Sequence, residues 1–528
     1  MNPAPEDARF NLWTTREAPD VSFAHRLVLV ALVSAGLLAV VRLADWWFKA
    51  DHIADTGFFV LLSLAFWYGI GRILVGWFNY LGMRKPPVRN AHLGLRVAIF
   101  TTSSPGEPLA MFEKTLAACK RIRYPHTTYL LDDTQDPRFR KLAKRHGAVW
   151  LELVGIPGAK AGKINKALSM TNEDFILVLD PDHVPFPDFL DRVMGYFGDE
   201  KTGFVQVCQA YYNQSRSFTA KGAAEQTYAF YGPILMGMFG HHSSLAIGAN
   251  CTFRRRALES IGGHGIGLAE DMVTAIRLHA AGWQSVYVPI IVSRGLVPED
   301  LGSFFKQQLK WSRGVYEILF SELPVLWPKL RWRQRLSYFL VGTYYLCGVT
   351  TFIYLLIPYC YLWLDFQPAA MPFGEFLTMV GPVGLLGVIL YLVVQQWLCH
   401  PELERGLHWR SLMLKIGCWP IYAMGTILSI TRTNIPYIPT SKEAMRGQFL
   451  RLAWPHIAGL FLYLATVVII AYRRIFIVQE ETLALSAEAV WGMVGFATMS
   501  MVFSLGVIYA AWKSRSLPGG SSWDVVPD

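Results

Sequence analysis

Phe175-Ile176-Leu177-Val178-Leu179-Asp180-Pro181-Asp182 places five apolar residues directly before two carboxylates set one residue apart. An apolar run this short, closed by polar residues, reads as a strand buried on both faces, as in a parallel sheet covered by helices. Residues 96–102 and 128–131 read the same way, and the second run ends in Asp132 and Asp133. Carboxylates at strand carboxyl ends lie where open α/β sheets bind ligands. Asp180 and Asp182 can share a divalent cation, and their hard oxygens favour Mg²⁺ or Mn²⁺, which in turn can neutralise a diphosphate. An isolated D-x-D also serves as a turn or a cap, so its weight comes from its neighbours.

The same strand and helix alternation extends over residues 84–335, and on either side of it the chain turns apolar. The 528 residues hold 49 Lys plus Arg against 39 Asp plus Glu, a net charge of +10 with only 17% charged and 53% hydrophobic. Water-soluble chains carry roughly 25% charged residues, so the deficit points to a surface that meets lipid and excludes disorder. A spanning helix needs about 20 apolar residues. Residues 25–47, 58–80, 336–364, 376–398, 455–472 and 489–512 qualify.

Residues 411–430 are apolar but contain Lys415, Gly417, Pro420 and Gly425, which suit a broken or interfacial helix as well as a span. If this stretch crossed, the basic residues Arg432, Lys442, Arg446 and Arg451 would lie opposite Arg84, Lys85 and Arg89. The positive-inside rule places both groups in the cytoplasm and gives six spans. The expected order is a tail and two spans (1–83), a catalytic domain (84–301), amphipathic interfacial helices (302–335) and two spans (336–400). An interfacial helix (401–431), a loop (432–452), two spans (453–513) and a tail (514–528) follow. The N-terminus lacks a small-residue cleavage site and reads as a retained anchor. Seven cysteines without CxxC spacing argue against disulfides and a zinc site and suggest reduced thiols facing cytosol or lipid. No nucleic-acid module accompanies the basic charge.

Further chemistry follows in chain order. Ala159-Lys160-Ala161-Gly162-Lys163-Ile164-Asn165 reads as a small-residue loop whose two ammonium groups can approach phosphates. Ala269-Glu270-Asp271 is either an acidic pair at a helix N-terminus or a site carboxylate. Gln307, Lys310 and Trp311 are spaced to share one helical face, an amide, a cation and an indole together. Such a face suits a glucan, although a Trp on an amphipathic helix also serves as a membrane anchor. His183, His241 and His242 show no metal-ligand spacing and read as structural.

This ordered set resembles the processive family 2 glycosyltransferases, the cellulose synthase-like group, with its D, DxD, TED and QxxRW motifs. Residues 205–209, 250–258 and 267–288 are similar to further stretches of that family, and Tyr437 to Lys442 resembles its FxVTxK gating loop. The resemblance implies a GT-A-type cytosolic α/β domain inserted in an α-helical membrane domain of about six spans plus interfacial helices. It implies a UDP-sugar donor held by Asp132, Asp133, Lys160, Asp180, Asp182, Thr440 and Lys442, with Asp180 and Asp182 on Mg²⁺ or Mn²⁺. Asp271, beside Glu270, is implied as the base, and Gln307, Lys310 and Trp311 as the acceptor site.

The implied reaction is inverting polymerisation of a β-glucan from UDP-glucose, with export of the polysaccharide across a bacterial inner membrane from a cytoplasmic active site. Its implied partners are the donor, the growing polysaccharide, the lipid bilayer and export proteins of the periplasm or outer membrane, with no nucleic acid. Ala269 stands where the family has Thr and Lys310 where it has Arg, and a point ammonium does not reproduce a guanidinium fork. Too few residues follow Trp512 for the family's cyclic-dinucleotide receptor, so control by that route is not expected. These departures leave 1,3-linked and mixed-linkage glucans open, beside a non-processive glycolipid synthase and a silent channel subunit.

Overall fold

The computed structural model describes residues 11–364, 366–433, 447–472, 487–517 and 521–527. Its main sheet contains β1 (Val97–Thr102), β2 (Thr127–Asp132), β3 (Val149–Glu152), β4 (Phe175–Leu179), β5 (Thr202–Val207), β6 (Cys251–Arg254) and β7 (Gln284–Val288). The spatial order is β3-β2-β1-β4-β6-β5-β7, and β6 alone runs against the others. All three expected strands are present to within a residue or so. Every residue of β1, β4 and β5 is buried, because helices cover both faces and leave no side for polar residues. Phe100, Phe204 and Phe253 fill one inner layer, each contributing on the order of 1.5–3 kcal/mol by leaving water.

The chain steps outward from β1 through β2 to β3, then returns to place β4 on the other side of β1. That reversal opens a crevice at the carboxyl ends of β1 and β4, where Ser103 and Asp180 begin the following loops.

Among the described residues, six helices are long and apolar enough to cross a membrane: Phe23–Trp47, Thr56–Gly82, Trp332–Leu364, Phe373–Trp397, Phe449–Tyr472 and Val490–Lys513. Leu38, Val468 and Trp491 are exposed on them, as lipid-facing side chains should be. The third is broken, because helix Trp332–Gly342 gives way to a 3₁₀ turn at Tyr344–Leu346 before the helix resumes at Cys347. Carbonyls freed at this break are met by the second helix: Tyr68 Oη donates to the carbonyls of Thr343 (3.0 Å) and Tyr344 (2.7 Å), and Arg72 Nη1 donates to that of Leu340 at 2.6 Å. Satisfying them internally is what permits irregular backbone at that depth.

Two expectations change, those for residues 159–165 and for the cysteines, and residues 411–430 form the broken helix that their Gly and Pro residues suit. Residues 159–165 are not a loop but the start of helix Ala159–Leu168, because Gly158 supplies the left-handed turn (φ 90°) that lets the helix begin there. Residues 411–430 form two helices, Trp409–Gly417 and Trp419–Ile430, bent by 44°. Pro420 sits in the first turn of the second, where its missing N–H is tolerated. A buried Glu225 anchors the first of them, accepting from Arg410 Nη1 at 3.0 Å and the Ser411 amide at 3.1 Å. Five of the seven cysteines are buried inside the protein instead of facing cytosol or lipid, and Cys347 and Cys360 are half-buried.

Both ends of the described chain lie on the sheet domain. Arg16–Glu17 adds a short antiparallel strand to Ile290–Ile291, and Trp13 packs on Tyr212. Buried Trp523 joins the same apolar cluster, and Ser522 Oγ donates to Glu299 Oε1 at 2.6 Å.

The sheet domain meets the second membrane helix through Leu235–Gly240, where a Cβ on Gly237 would collide with the backbone carbonyl of Asn79. Gly237→Val should therefore destabilise the protein by about 1–3 kcal/mol, read as earlier thermal unfolding in detergent, whereas a substitution at open Gly262 should leave it unchanged if it accommodates the positive φ, as Asn does.

Candidate active site

The acidic turn after β4 has its carboxylates held in place from both sides. Lys160 Nζ donates to Asp180 Oδ1 at 2.5 Å and to the Gly248 carbonyl at 2.8 Å. Asp182 is 2% exposed, and its Oδ2 accepts from the Leu296 amide at 3.1 Å. His183 completes the group: one ligand atom each from Asp180, Asp182 and His183 lie within 4.8 Å of one another. The His183 ring is buried, and neither nitrogen has a hydrogen-bond partner. An imidazole so placed is costly unless something binds it. Two carboxylates and an imidazole suit a divalent cation that prefers oxygen but accepts nitrogen. His183, read as structural from the sequence, stands beside the D-x-D pair, close enough to join it in holding a cation.

Asp271 opens helix Glu270–Ala280. Its Oδ1 accepts from the Met272 amide at 2.8 Å, and Oδ2 lies 3.3 Å from where a Cβ on Gly248 would stand. Gly248 adopts a positive φ of 57°, so the chain needs glycine there for both conformation and clearance. The buried Gln206 sets this loop, accepting from the Ile247 amide at 2.9 Å and donating to the Ala249 carbonyl at 3.0 Å. Burial, and next the neighbouring Glu270, raise the Asp271 carboxyl to about 7, against the pull of Lys160 and Lys310. A group poised there takes up a proton near neutral pH, as a general base requires. Glu270 is also buried. The pair occupies the first turn of that helix and lines a cavity.

Trp311 lies on helix Leu301–Glu317, which starts at Asp300, whose side chain caps the Ser303 amide at 2.8 Å. This helix touches the Asp271 helix through two small residues. A Cβ on Gly314 would stand 2.7 Å from the Ala269 Cβ and 2.8 Å from its amide nitrogen. On its other side it packs against Trp419–Ile430, where Tyr422 Oη donates to Gln308 Oε1 at 2.8 Å. Phe305 and Val315 are consequently buried in protein. Arg313 donates to Ser429 Oγ and to the Thr433 carbonyl, each at 2.7 Å.

A single cavity of about 620 Å³ joins these parts. Lys160, Asp180, Asp182, His183, Glu270, Asp271, Gln307, Lys310 and Trp311 all line it, together with Arg72, Tyr344 and Tyr345 from the apolar helices. Asp132 and Asp133 do not line it. Asp132 is 2% exposed and accepts from Ser103 Oγ (2.6 Å), Thr134 Oγ1 (2.8 Å) and Trp150 Nε1 (2.8 Å). Asp133 accepts from the Gly155 amide at 3.1 Å and lies 3.6 Å from Lys163, whose pKa burial lowers. Nothing in the local sequence marks Ser103 or Trp150 as partners of Asp132. Thr440 and Lys442 lie outside the described residues.

Residues 175–395 match the family model described as glycosyl transferase family group 2. The chain is 32% identical over 267 residues to the cellulose synthase catalytic subunit [UDP-forming] of Komagataeibacter sucrofermentans, covering 48% of this chain and 35% of that one. It is 27% identical over 360 residues to the subunit of the same name from Pseudomonas fluorescens, covering 64% of this chain and 48% of that one. Residues 175–395 thus match family 2 glycosyltransferases, and the chain is similar to cellulose synthase catalytic subunits. It spans less than half the length of these curated relatives. A mannosyltransferase from Pyrobaculum calidifontis, solved with GDP-Man and Mn²⁺, is similar over 78% of this chain and 99% of its own, at 15% identity and a TM-score of 0.42. The seven-stranded sheet domain sits within a chain whose apolar helices are those of a multi-pass membrane protein.

Two outcomes follow from this geometry. With Asp271 raised to about 7 and active only when deprotonated, turnover should rise with pH up to that value and level off above it. A rate-against-pH profile flat from 5 to 8 would contradict the assignment. Gly314→Val should push the Trp311 helix off Ala269 and cut turnover by up to about 100-fold with little change in donor affinity, read from initial rates and nucleotide binding.

Proposed function

We propose that this protein is a processive, inverting glycosyltransferase that builds a β-glucan from UDP-glucose on the cytoplasmic side of a bacterial inner membrane and passes it through its own helices. The observation that carries the proposal is the continuous cavity from Asp180, Asp182 and His183, past Asp271 and Trp311, to Tyr344 and Tyr345 in the membrane helices. A transferase that released its product to the cytosol would have no use for the membrane end. The UDP-forming cellulose synthase subunits among its relatives support the donor and the product class.

In this reading Asp180, Asp182 and His183 hold a divalent cation, Mg²⁺ or Mn²⁺, which when bound stabilises the charge on the departing diphosphate. Asp271 accepts the proton of the acceptor hydroxyl as the new bond forms, an effect typically worth about 10²- to 10⁴-fold. Its burial matters, since a solvated carboxylate near its ordinary pKa is a weak base. Attack from the side opposite the leaving group turns an α-linked donor into a β-linked product. The exposed face of Trp311 stacks on the acceptor sugar, while Gln307 and Lys310 reach its hydroxyls. Thr440 and Lys442 are proposed to reach the diphosphate. Asp132 and Asp133 are proposed to shape the nucleotide end of the site.

The test is incubation of the purified full chain with separate UDP-sugars and Mg²⁺ or Mn²⁺, followed by linkage-specific glucanase digestion. UDP release with UDP-glucose and a product cleaved by a β-glucanase is expected. Transfer of one sugar to lipid would replace this proposal with a glycolipid synthase, and absence of UDP release with every donor would remove the enzyme. Asp271→Asn should bind nucleotide yet form no polymer. Trp311→Ala should reduce elongation by roughly tenfold or more while donor hydrolysis persists, as loss of a stacking platform predicts.

A further inference from the structure

Between the Trp311 helix and the third membrane helix runs a segment, residues 318–335, that the proposed chemistry does not use. Its side chains are sorted in an unusual way. Phe320, Val325, Trp327 and Trp332 are exposed, and Trp332 is 62% exposed. Lys329, Arg331 and Arg333 are exposed among them, and Arg84 at the end of the second helix is exposed as well. Arg84, Arg331 and Arg333 converge on one place, since all three act on the His242 ring. Among the described residues none of these four cations has a carboxylate partner within salt-bridge distance, whereas Glu322 in the same segment is committed to Arg277 at 2.5 Å. The first turn of the helix starting at Trp332 has no acidic residue to offset them.

Exposed indoles and exposed unpaired cations point to different environments when they occur apart. Interleaved where a chain enters the membrane, they point to one boundary: Trp rings settle at headgroup depth, and the ammonium and guanidinium groups reach phosphate oxygens. The rings and cations are already arranged together here. The Arg333 guanidinium lies 5.1 Å from the Trp332 ring centre and that of Arg335 5.7 Å from Trp327. Stacking fixes the guanidinium plane while its outer N–H groups remain open to an anion.

We propose that Arg84, Lys329, Arg331 and Arg333, with Trp327 and Trp332, form a binding surface for anionic phospholipid headgroups, and that its occupancy tunes catalysis. The proposal rests on the reading of the apolar helices as membrane spans. The route to the active site is short. Glu322 grips Arg277 through two hydrogen bonds, to Nη2 at 2.5 Å and to Nε at 3.0 Å, and Arg277 lies on the helix that begins with Glu270 and Asp271. Packing of Leu319 against Gly342, whose Cβ would meet Leu319 side-chain atoms at 2.9 Å, braces the segment against the third membrane helix. Headgroups that seat the basic segment thereby hold the Asp271 helix against the acceptor helix.

The experiment uses the full chain in nanodiscs of phosphatidylcholine alone or with phosphatidylglycerol. It compares wild type with a Lys329→Gln, Arg331→Gln, Arg333→Gln variant, which alters none of the proposed catalytic or donor groups. Two readouts are taken: enrichment of a spin-labelled phosphatidylglycerol in the lipid shell, and UDP release. Wild type should enrich the anionic lipid by roughly fivefold per engaged cation, weakening with salt, and turn over faster with it. The variant should lose the enrichment and the stimulation while keeping the wild-type rate in phosphatidylcholine. Equal lipid shells for the two proteins would overturn the proposal, as would an RNA oligomer displacing the lipid, which would make this a general polyanion surface. Enrichment without any UDP release would instead count against the enzymatic reading and leave the lipid surface standing.

Discussion

The arrangement depends on one contact between small residues. Gly314 and Ala269 let two helices touch backbone to backbone, and those helices carry the Trp311 face and the Asp271 carboxylate. A side chain at 314 would push apart the proposed base and the proposed acceptor platform, whose spacing proton transfer depends on. Everything else in the site is referred to that pair. Gly248 clears space for Asp271, Gln206 fixes Gly248, and Lys160 joins the same loop to Asp180.

The site's electrostatics follow from its placement at the mouth of a low-dielectric body. Carboxylates at 180, 182, 270 and 271 are concentrated in one cavity, and only Lys160 and Lys310 oppose them near Asp271. Burial therefore drives the Asp271 carboxyl toward neutrality and makes it responsive near physiological pH. Arg72, Tyr344 and Tyr345 line the same cavity from the apolar helices, where Tyr68 and Arg72 take up carbonyls freed at the break in the third helix. Rings with polar edges suit a polyhydroxylated chain that must slide without being held.

Strand periodicity, the ends of the apolar runs and the order of the acidic motifs were legible in the sequence because each is a local property. The carboxylates at 180, 182, 270 and 271 and the Gln307, Lys310 and Trp311 face do line one cavity. What local pattern did not reveal is contact across the fold. The two ammonium groups expected in a loop sit on a helix because Gly158 turns the chain just before it. Asp132 faces Ser103, Thr134 and Trp150, and Trp150 belongs to the next strand, so the engagement of its oxygens depends on sheet order. His183 reads as structural from spacing alone, and only the fold shows its buried, unbonded ring beside Asp180 and Asp182. The bend at Cys418 reflects packing of Trp419–Ile430 on the Trp311 helix, a partner 100 residues away that hydropathy alone does not disclose.

The account stands or falls on whether nucleotide, base, indole and membrane helices share one path. The most direct measurement is an electron cryomicroscopy structure of the full chain in a lipid nanodisc, trapped with a UDP-sugar analogue, a divalent cation and a cello-oligosaccharide. The diphosphate should lie at Asp180, Asp182 and His183, the terminal hydroxyl within about 3 Å of Asp271, and the saccharide should run from Trp311 toward Tyr344. A saccharide leaving toward the cytosol, or a diphosphate bound away from those three residues, would contradict it.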